Sequence, residues 1–340
     1  MPQLVSGAAE GAGAPLVGEV AAEQLQLFDA GVDVSVLRME RAALMARQQS
    51  DATRKAYGCD WSDFLAWCAA AGRCPLPASS DSVGLYLVGL ARAGRLVSTI
   101  ERRCSSIAYN HLAAGHKSPV TEDVREVLYG LRRKLGVDPP NRKLALTVDD
   151  LRAILKAMPD DVLGVRDRAI MLLGFASGLR RSELSALDLA SLRFEAAGVV
   201  VHLARSKTDQ EGRGRELGVH RGHHVLTCPV RALNAWIRER GAWPGPLFPI
   251  VDLHSGKVTR RRLSGEGIHK ALRAACTRAG LDARKYGGHS LRAGLATAAA
   301  ANGASELAIM QRTGHASVAM LTRYVRHGSV FAVDPLAGVL

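Results

Sequence analysis

Gly287-Gly-His-Ser-Leu-Arg-Ala-Gly294 is the stretch around which this 340-residue chain is arranged, and Arg312-Thr-Gly-His315 and Leu321-Thr-Arg-Tyr-Val-Arg326 continue it. Three-residue spacing puts His289 and Arg292 on one face of a helix, which alone signifies little. The order of the downstream residues adds weight. His315 comes after a Thr-Gly turn and Tyr324 lies nine residues further on, so the four side chains converge if the intervening helices fold back on each other. Upstream, Ala176-Ser-Gly-Leu-Arg-Arg-Ser-Glu183 adds Arg180, with Glu183 one turn on to orient it, and Ser206-Lys-Thr208 adds Lys207. The set suits phosphoryl transfer: Arg forks grip phosphate oxygens in pairs, His and Lys donate hydrogen bonds or protons, and a Tyr hydroxyl can be a covalent nucleophile.

Gly178-Leu-Arg-Arg-Ser-Glu-Leu184, Lys207-Thr208, His289-Ser-Leu-Arg292, Gly314-His315 and Tyr324 together resemble the motifs of the tyrosine recombinases of the phage integrase family, most of all the Cre-like members. They follow the family's order across most of residues 147–326. The resemblance implies a site-specific recombinase that cleaves and rejoins DNA strands through a 3′-phosphotyrosyl link, in integration, excision or resolution, without metal, nucleotide or other cofactor. It implies a mainly α fold: an N-terminal SAM-like helical bundle, then a mostly helical α+β catalytic domain with a small antiparallel sheet. The implied partners are double-stranded DNA with specific inverted half-sites and a tetramer of this chain on two duplexes. In that constellation Arg180 and Arg292 hold the scissile phosphate and His289 is the acid/base candidate. His315 donates to a non-bridging oxygen, Lys207 protonates the leaving 5′-hydroxyl, and Tyr324 attacks.

Taken singly, each of these residues is ambiguous. Arg180 could be a surface arginine, and Lys207 a solvated hairpin lysine with Lys257 as a competitor for its role. Arg292 stands in an Ala-rich helix, where a buried charge needs a partner that a phosphate could supply. Either histidine could cap a helix or sit satisfied in a core, and a zinc site from the pair lacks a third ligand at suitable spacing. Tyr286, beside His289, is the rival nucleophile; Tyr57, Tyr86, Tyr109 and Tyr129 fall on helical faces where packing is the expected role. A type IB topoisomerase would share the chemistry, and a DNA-binding protein without catalysis is the reading from a different class.

Composition bears on the partner. With 47% hydrophobic and 23% charged residues the chain is ordinary for a globular protein, but its net charge of +13 is not. The excess is clustered at Arg102-Arg103, Arg132-Arg-Lys134, Arg142-Lys143, Arg231 to Arg240 and Arg260-Arg-Arg262, which suits a polyanion. Candidates for DNA contact are Thr99, Arg102, Arg103, Arg142, Lys143, Arg260, Arg261 and Arg262. The six cysteines show no paired or ligand-like spacing and read as small core residues in a reducing compartment. No apolar run approaches the roughly 20 residues of a membrane span, so a cytoplasmic, nucleoid-associated protein without membrane contact is expected.

In chain order, residues 1–34 read as a disordered tail and 35–136 as a helical DNA-binding bundle, with Ser35 as a first cap. Helices are expected from Ser50, where Tyr57, Trp61, Phe64, Leu65 and Cys68 recur at helical spacing, and at 81–93, 97–114 and 121–135. Thr99, Arg102, Arg103 and Ser106 form a polar face on the third. Pro139 and Pro140 make 137–146 a linker, and Thr147-Val-Asp-Asp150 opens the catalytic domain, 147–340, as a capping box. There a helix is expected over 166–177, a hairpin from 198 to 220, and helices near 229–240, 264–279, 290–301, 305–312 and 317–325. The apolar tail after Gly328 (Val330, Phe331, Val333, Leu336, Val339 and Leu340) is too short for its own core and is expected to dock on a neighbouring protomer or fold back.

Overall fold

The computed structural model describes residues 51–136, 143–204 and 214–314, together with Asp33, Ser35–Leu37, Met39, Glu40, Ser317, Val318 and Leu321. The chain divides into two compact units, Met1–Pro139 and Pro140–Leu340.

In the first unit four helices, α1 (Asp51–Ala70), α2 (Ser80–Arg92), α3 (Val97–Ala113) and α4 (Glu122–Leu135), surround a core that includes Phe64, Cys68, Tyr86, Leu87, Ile100, Ile107 and Val124. Phe64 and Tyr86 meet edge to face with ring centroids 5.1 Å apart, a geometry that adds to their burial. His111 is fully buried and satisfied on both sides. Its Nε2 accepts from Ala78 N at 2.9 Å, and its Nδ1 lies 2.8 Å from the Ile107 carbonyl, which makes Nδ1 the protonated nitrogen. Helical periodicity placed these helices correctly but not every residue on them: Leu65 and Tyr129 are exposed. The helical piece at Ser35–Leu37 is capped by Asp33, whose Oδ1 accepts from Ser35 N at 2.8 Å, rather than by Ser35. The expected tail over 1–34 lies almost wholly outside the described residues.

The second unit is built around α6 (Val162–Ser177), whose Ile170, Met171 and Leu173 are fully buried. This helix begins four residues before the expected Arg166, because Asp161 caps it by accepting from Gly164 N at 2.7 Å. Gly178, at φ +64°, ends it in the left-handed conformation that glycine adopts without steric cost. Before it, α5 (Val148–Lys156) opens with the expected capping box of Thr147 and Asp150. After it come α7 (Arg181–Ala186) and a three-stranded antiparallel sheet of β1 (Leu192–Phe194), β2 (Gly198–Leu203) and β3 (Arg215–His220) in that order. Leu203 pairs with Arg215, so the segment carrying Lys207 is the connection between β2 and β3.

α8 (Pro229–Arg240) comes next with Pro at its first position and packs the buried Trp236 into the α6 core. A second, two-stranded sheet pairs β4 (Pro249–Val251) with β5 (Val258–Arg262), and α9 (Gly265–Arg278), α10 (Ser290–Ala301) and α11 (Glu306–Thr313) complete the described unit. The architecture is mostly helical with small antiparallel sheets. The β2–β3 hairpin was expected, but β1, β4 and β5 were not, since they have three to five residues each and too few positions to show a period of two. The Arg260-Arg-Arg262 run is the end of β5. All six cysteines are free; Cys68, Cys104, Cys228 and Cys276 are buried as expected, whereas Cys59 and Cys74 are exposed.

Candidate active site

Arg180 lies between Gly178 and the first turn of α7, with extended backbone, as the residue before a helix should be. Glu183, three residues on, holds it twice: Arg180 N donates to Glu183 Oε2 at 2.8 Å and Arg180 Nη1 to Glu183 Oε1 at 2.7 Å. The Glu183 side chain is only 4% exposed, so this charge-assisted pair is shielded from water and salt. The remaining arm, Arg180 Nη2, donates to the Gly314 carbonyl at 3.3 Å.

Arg292 is 2% exposed, among the largest fully buried side chains of the protein. It sits in the first turn of α10 and its Nη1 donates to the carbonyl of Gly178, at 3.0 Å, and to that of Thr313. The guanidinium thereby ties the ends of α6 and α11 to the start of α10. Both helix ends carry unsatisfied carbonyls and partial negative charge, the natural partners of a buried cation. Thus Arg180 and Arg292, 112 residues apart in sequence, meet at the Thr313-Gly314 turn that leads directly to His315.

Two further arginines brace this turn. Arg215, the first residue of β3, donates through Nη1 to the carbonyls of Gln311 and Arg312 at 3.3 and 3.5 Å, and its Nη2 is 3.9 Å from Glu183 Oε2. In return Arg312 donates to the Gly218 carbonyl of β3. Sequence reasoning assigned Arg312 no role although it stands in the motif, and missed Arg215 altogether; the only signal was a charged residue opening an otherwise alternating strand. Burial lowers the pKa of both guanidiniums, partly opposed at Arg215 by the charge of Glu183.

His289 is exposed and precedes α10, one turn before Arg292. Lys207, His315 and Tyr324 lie outside the described residues. Lys257, the competitor of Lys207, is exposed in the β4–β5 turn. The rival nucleophile Tyr286 is buried, and its hydroxyl donates to Asp150 Oδ2 at 3.1 Å, the same oxygen that accepts from Thr147 N in the α5 capping box. Burial, with the nearby Asp150 carboxylate second, pushes its pKa up to about 12. It is a structural hydrogen-bond donor. Among the described residues no cluster of three or more His, Cys, Asp or Glu side chains could hold a metal.

The DNA-contact candidates separate into two groups. On α3, Ser106 is fully buried with Oγ bonded to the Tyr57 carbonyl. Arg103, 11% exposed, pairs with Asp63 at 2.6 Å and donates to Tyr86 Oη at 2.8 Å. Arg102 is half exposed but pairs with Asp60. The expected continuous basic face is therefore corrected: Arg103 points into the bundle because the buried Asp60 and the partly exposed Asp63 on α1 demand counter-charge, and Ser106 because its hydroxyl serves the Tyr57 carbonyl. Thr99 is partly exposed. On β5, Arg262 is likewise committed, to the carbonyls of Ser185 and Leu187, both at 2.9 Å, and to Asp188. Arg260 and Arg261 are both exposed, Arg260 with its guanidinium 5.2 Å from the centre of the Trp243 ring. Lys143 Nζ donates to the Arg284 carbonyl, and Arg142 lies outside the described residues.

The second unit is thus mostly helical and gathers Arg180 and Arg292 at one turn, and comparison with known proteins gives the class to which it belongs. Residues 145–329 match the phage integrase family. The integrase/recombinase xerD homolog of Selenomonas ruminantium is 35% identical over 308 residues, covering 87% of this chain and 89% of that protein. The recombinase cre of Escherichia phage P1 is 25% identical over 283 residues, covering 78% and 80%. A lambda integrase dimer bound to a COC′ core site shares the fold at 17% identity, with a TM-score of 0.58 over 89% of this chain and 99% of that one. This chain belongs to the phage integrase family, the tyrosine recombinases, which cleave and rejoin DNA.

Proposed function

We propose that the protein is a site-specific recombinase in which Tyr324 attacks a scissile phosphate to give a 3′-phosphotyrosyl link and a free 5′-hydroxyl. The attacking hydroxyl passes its proton to His289 as the new O–P bond forms, and as the old P–O bond breaks the leaving 5′-oxygen gains a proton from Lys207. Arg180 and Arg292 neutralise the non-bridging oxygens of the pentacoordinate transition state, His315 donates to one of them, and His289 serves in proton transfer. The bond energy kept in the phosphotyrosine lets a different 5′-end reverse the step without ATP. The observation that carries this reading is the convergence of Arg180 and Arg292 on carbonyls of adjacent residues, Gly314 and Thr313, next to His315.

Residues 35–136 would supply the DNA-binding bundle, 137–146 the linker and 147–340 the catalytic domain. The working assembly is a tetramer on two duplexes with inverted half-sites, each apolar tail (residues 329–340) docked on the next subunit in a closed ring. Lambda integrase has been seen as a tetramer bound to a Holliday junction, which supports that reading. The compartment is the cytoplasm, at the nucleoid; no described helix is long and apolar enough to cross a membrane.

The test is covalent capture. Purified protein is incubated in EDTA with nicked duplexes carrying randomised cores, denatured, and the attached DNA sequenced. A defined site should be enriched, joined by its 3′-phosphate to the peptide containing Tyr324. Specific binding without any covalent product would favour the non-catalytic alternative, and attachment through another residue would overturn the assignment of Tyr324.

A further inference from the structure

Outside the proposed catalytic residues, the best-built arrangement in the molecule is the double brace between β3 and the end of α11. Arg215 reaches from β3 to the carbonyls of Gln311 and Arg312, while Arg312 reaches back to the Gly218 carbonyl. The two contacts run in opposite directions, so strand and helix end can neither slide nor separate without losing both. Arg215 also extends the Arg180–Glu183 pair, with Nη2 3.9 Å from the same Glu183 Oε2 that accepts from Arg180 N. Its Nη1 is close to Gly314, where a Cβ on that glycine would lie 2.7 Å from it.

We infer that Arg215 is a positioning residue for strand cleavage, holding the start of β3, the Arg180–Glu183 pair and the Thr313-Gly314 turn in one register. The inference rests on the proposed phosphotyrosine chemistry. Arg215 opens β3 eight residues after Lys207, and Leu203, paired with it in the sheet, precedes Lys207 by four residues. Its charge sits where two electrostatic needs coincide: the C-terminal carbonyls of α11 present partial negative charge, and Glu183 carries a full one that a single partner, Arg180, shares only in part. Its side chain is 22% exposed, so these interactions act in a shielded setting. An arginine is required because one flat fork must serve carbonyls and a carboxylate at once; lysine offers a single point of donation.

The experiment uses the full chain and a nicked duplex bearing the site recovered by covalent capture. Wild type, Arg215→Ala, Arg215→Lys, Glu183→Gln and the Arg215→Ala/Glu183→Gln double variant are compared. The measurements are DNA binding, single-turnover adduct formation at saturating protein, and thermal unfolding. Arg215→Ala should bind the duplex within about twofold of wild type, yet form adduct more slowly, by up to about 10²-fold, the scale of a misplaced catalytic group. Lysine should recover only part of the rate, and the double variant should be slower than Glu183→Gln by much less than the Arg215→Ala factor, because both act through one network. Adduct formation by Arg215→Ala at the wild-type rate overturns the inference, as does loss of binding and cleavage in equal proportion. If Arg215→Ala does not fold, Arg215→Lys decides: a folded lysine variant with the wild-type rate, or failure of both to fold, makes Arg215 a residue of stability alone. Failure of wild type itself to form adduct would instead count against the phosphotyrosine chemistry.

Discussion

Arg180 and Arg292 donate to the carbonyls of two consecutive residues, Gly314 and Thr313, so that a single turn of main chain sets the spacing of both guanidiniums. Arg180→Ala should therefore reduce adduct formation on the captured site by on the order of 10² to 10³, the usual consequence of deleting one preorganised donor, with half-site binding little changed. Arg292→Lys should lose activity similarly and also unfold at lower temperature, since a compact, strongly hydrated ammonium is costlier to bury and does not reproduce the planar guanidinium. Single-turnover cleavage and thermal melts check both. Equal cleavage by wild type and Arg180→Ala would remove Arg180 from the site.

The tyrosines make opposite predictions. Tyr324→Phe should bind DNA and form no adduct. Tyr286→Phe should form adduct at close to the wild-type rate but lose stability, because a buried hydroxyl donor to Asp150 is deleted. Denaturing gels and urea melts separate the two; adduct from Tyr324→Phe would restore Tyr286 as the nucleophile.

Tyr286 also supplies a pH dependence, together with Tyr86, whose pKa burial likewise pushes up to about 12. An unfolded tyrosine ionises near pH 10, so above that value the unfolded chain binds fewer protons than the folded one and stability falls as pH rises toward 12. Melting temperatures between pH 9 and about 11 should fall more shallowly in Tyr286→Phe and Tyr86→Phe than in wild type. Parallel slopes would show that neither ionisation is coupled to folding.

Among basic residues, Arg261 and Arg103 should behave differently. The exposed Arg261→Ala should lower the salt slope of DNA binding by about one and leave the melting temperature unchanged. Arg103→Ala abandons the nearby Asp63 carboxylate and the Tyr86 hydroxyl and should destabilise the first unit. Binding isotherms at several salt concentrations, with melts, check this; an unchanged melt for Arg103→Ala would return it to the DNA-contact candidates.

Gly294 is confined by the Leu146 carbonyl, which an added Cβ would approach to 2.2 Å, and by the Phe175 ring at 2.7 Å. Gly294→Ala should cost roughly 1–3 kcal/mol, measured by denaturant unfolding, and weaken cleavage by displacing α10 and Arg292 with it. A stability equal to wild type would mean that the 146 segment can yield.

The helices of the first unit were legible in the sequence because Phe64 and Cys68 recur at helical spacing, and α5 because Thr147 and Asp150 form a capping box within four residues. Arg180 and Arg292 were picked out by their place in ordered motifs, and the fold brings both to the Thr313-Gly314 turn. Arg103 was misread as part of a basic face because its partner Asp63 lies 40 positions away. Arg215 went unread because a brace to carbonyls leaves no trace in side-chain identity, and β1, β4 and β5 because they are too short to show periodicity. Only the folded chain brings such pairs together.

The acceptors described for Arg180, Arg215, Arg292 and Arg312 are main-chain carbonyls with one exception, the Glu183 carboxylate. A carbonyl is present whatever residue occupies the position, so this lattice tolerates drift at the exposed Gln311 as long as the backbone path is kept. Vulnerability to point mutation is concentrated in the arginines themselves, in Gly178 and Gly314, whose positive φ a side chain would strain, and in Glu183, the one acceptor that a single base change can erase.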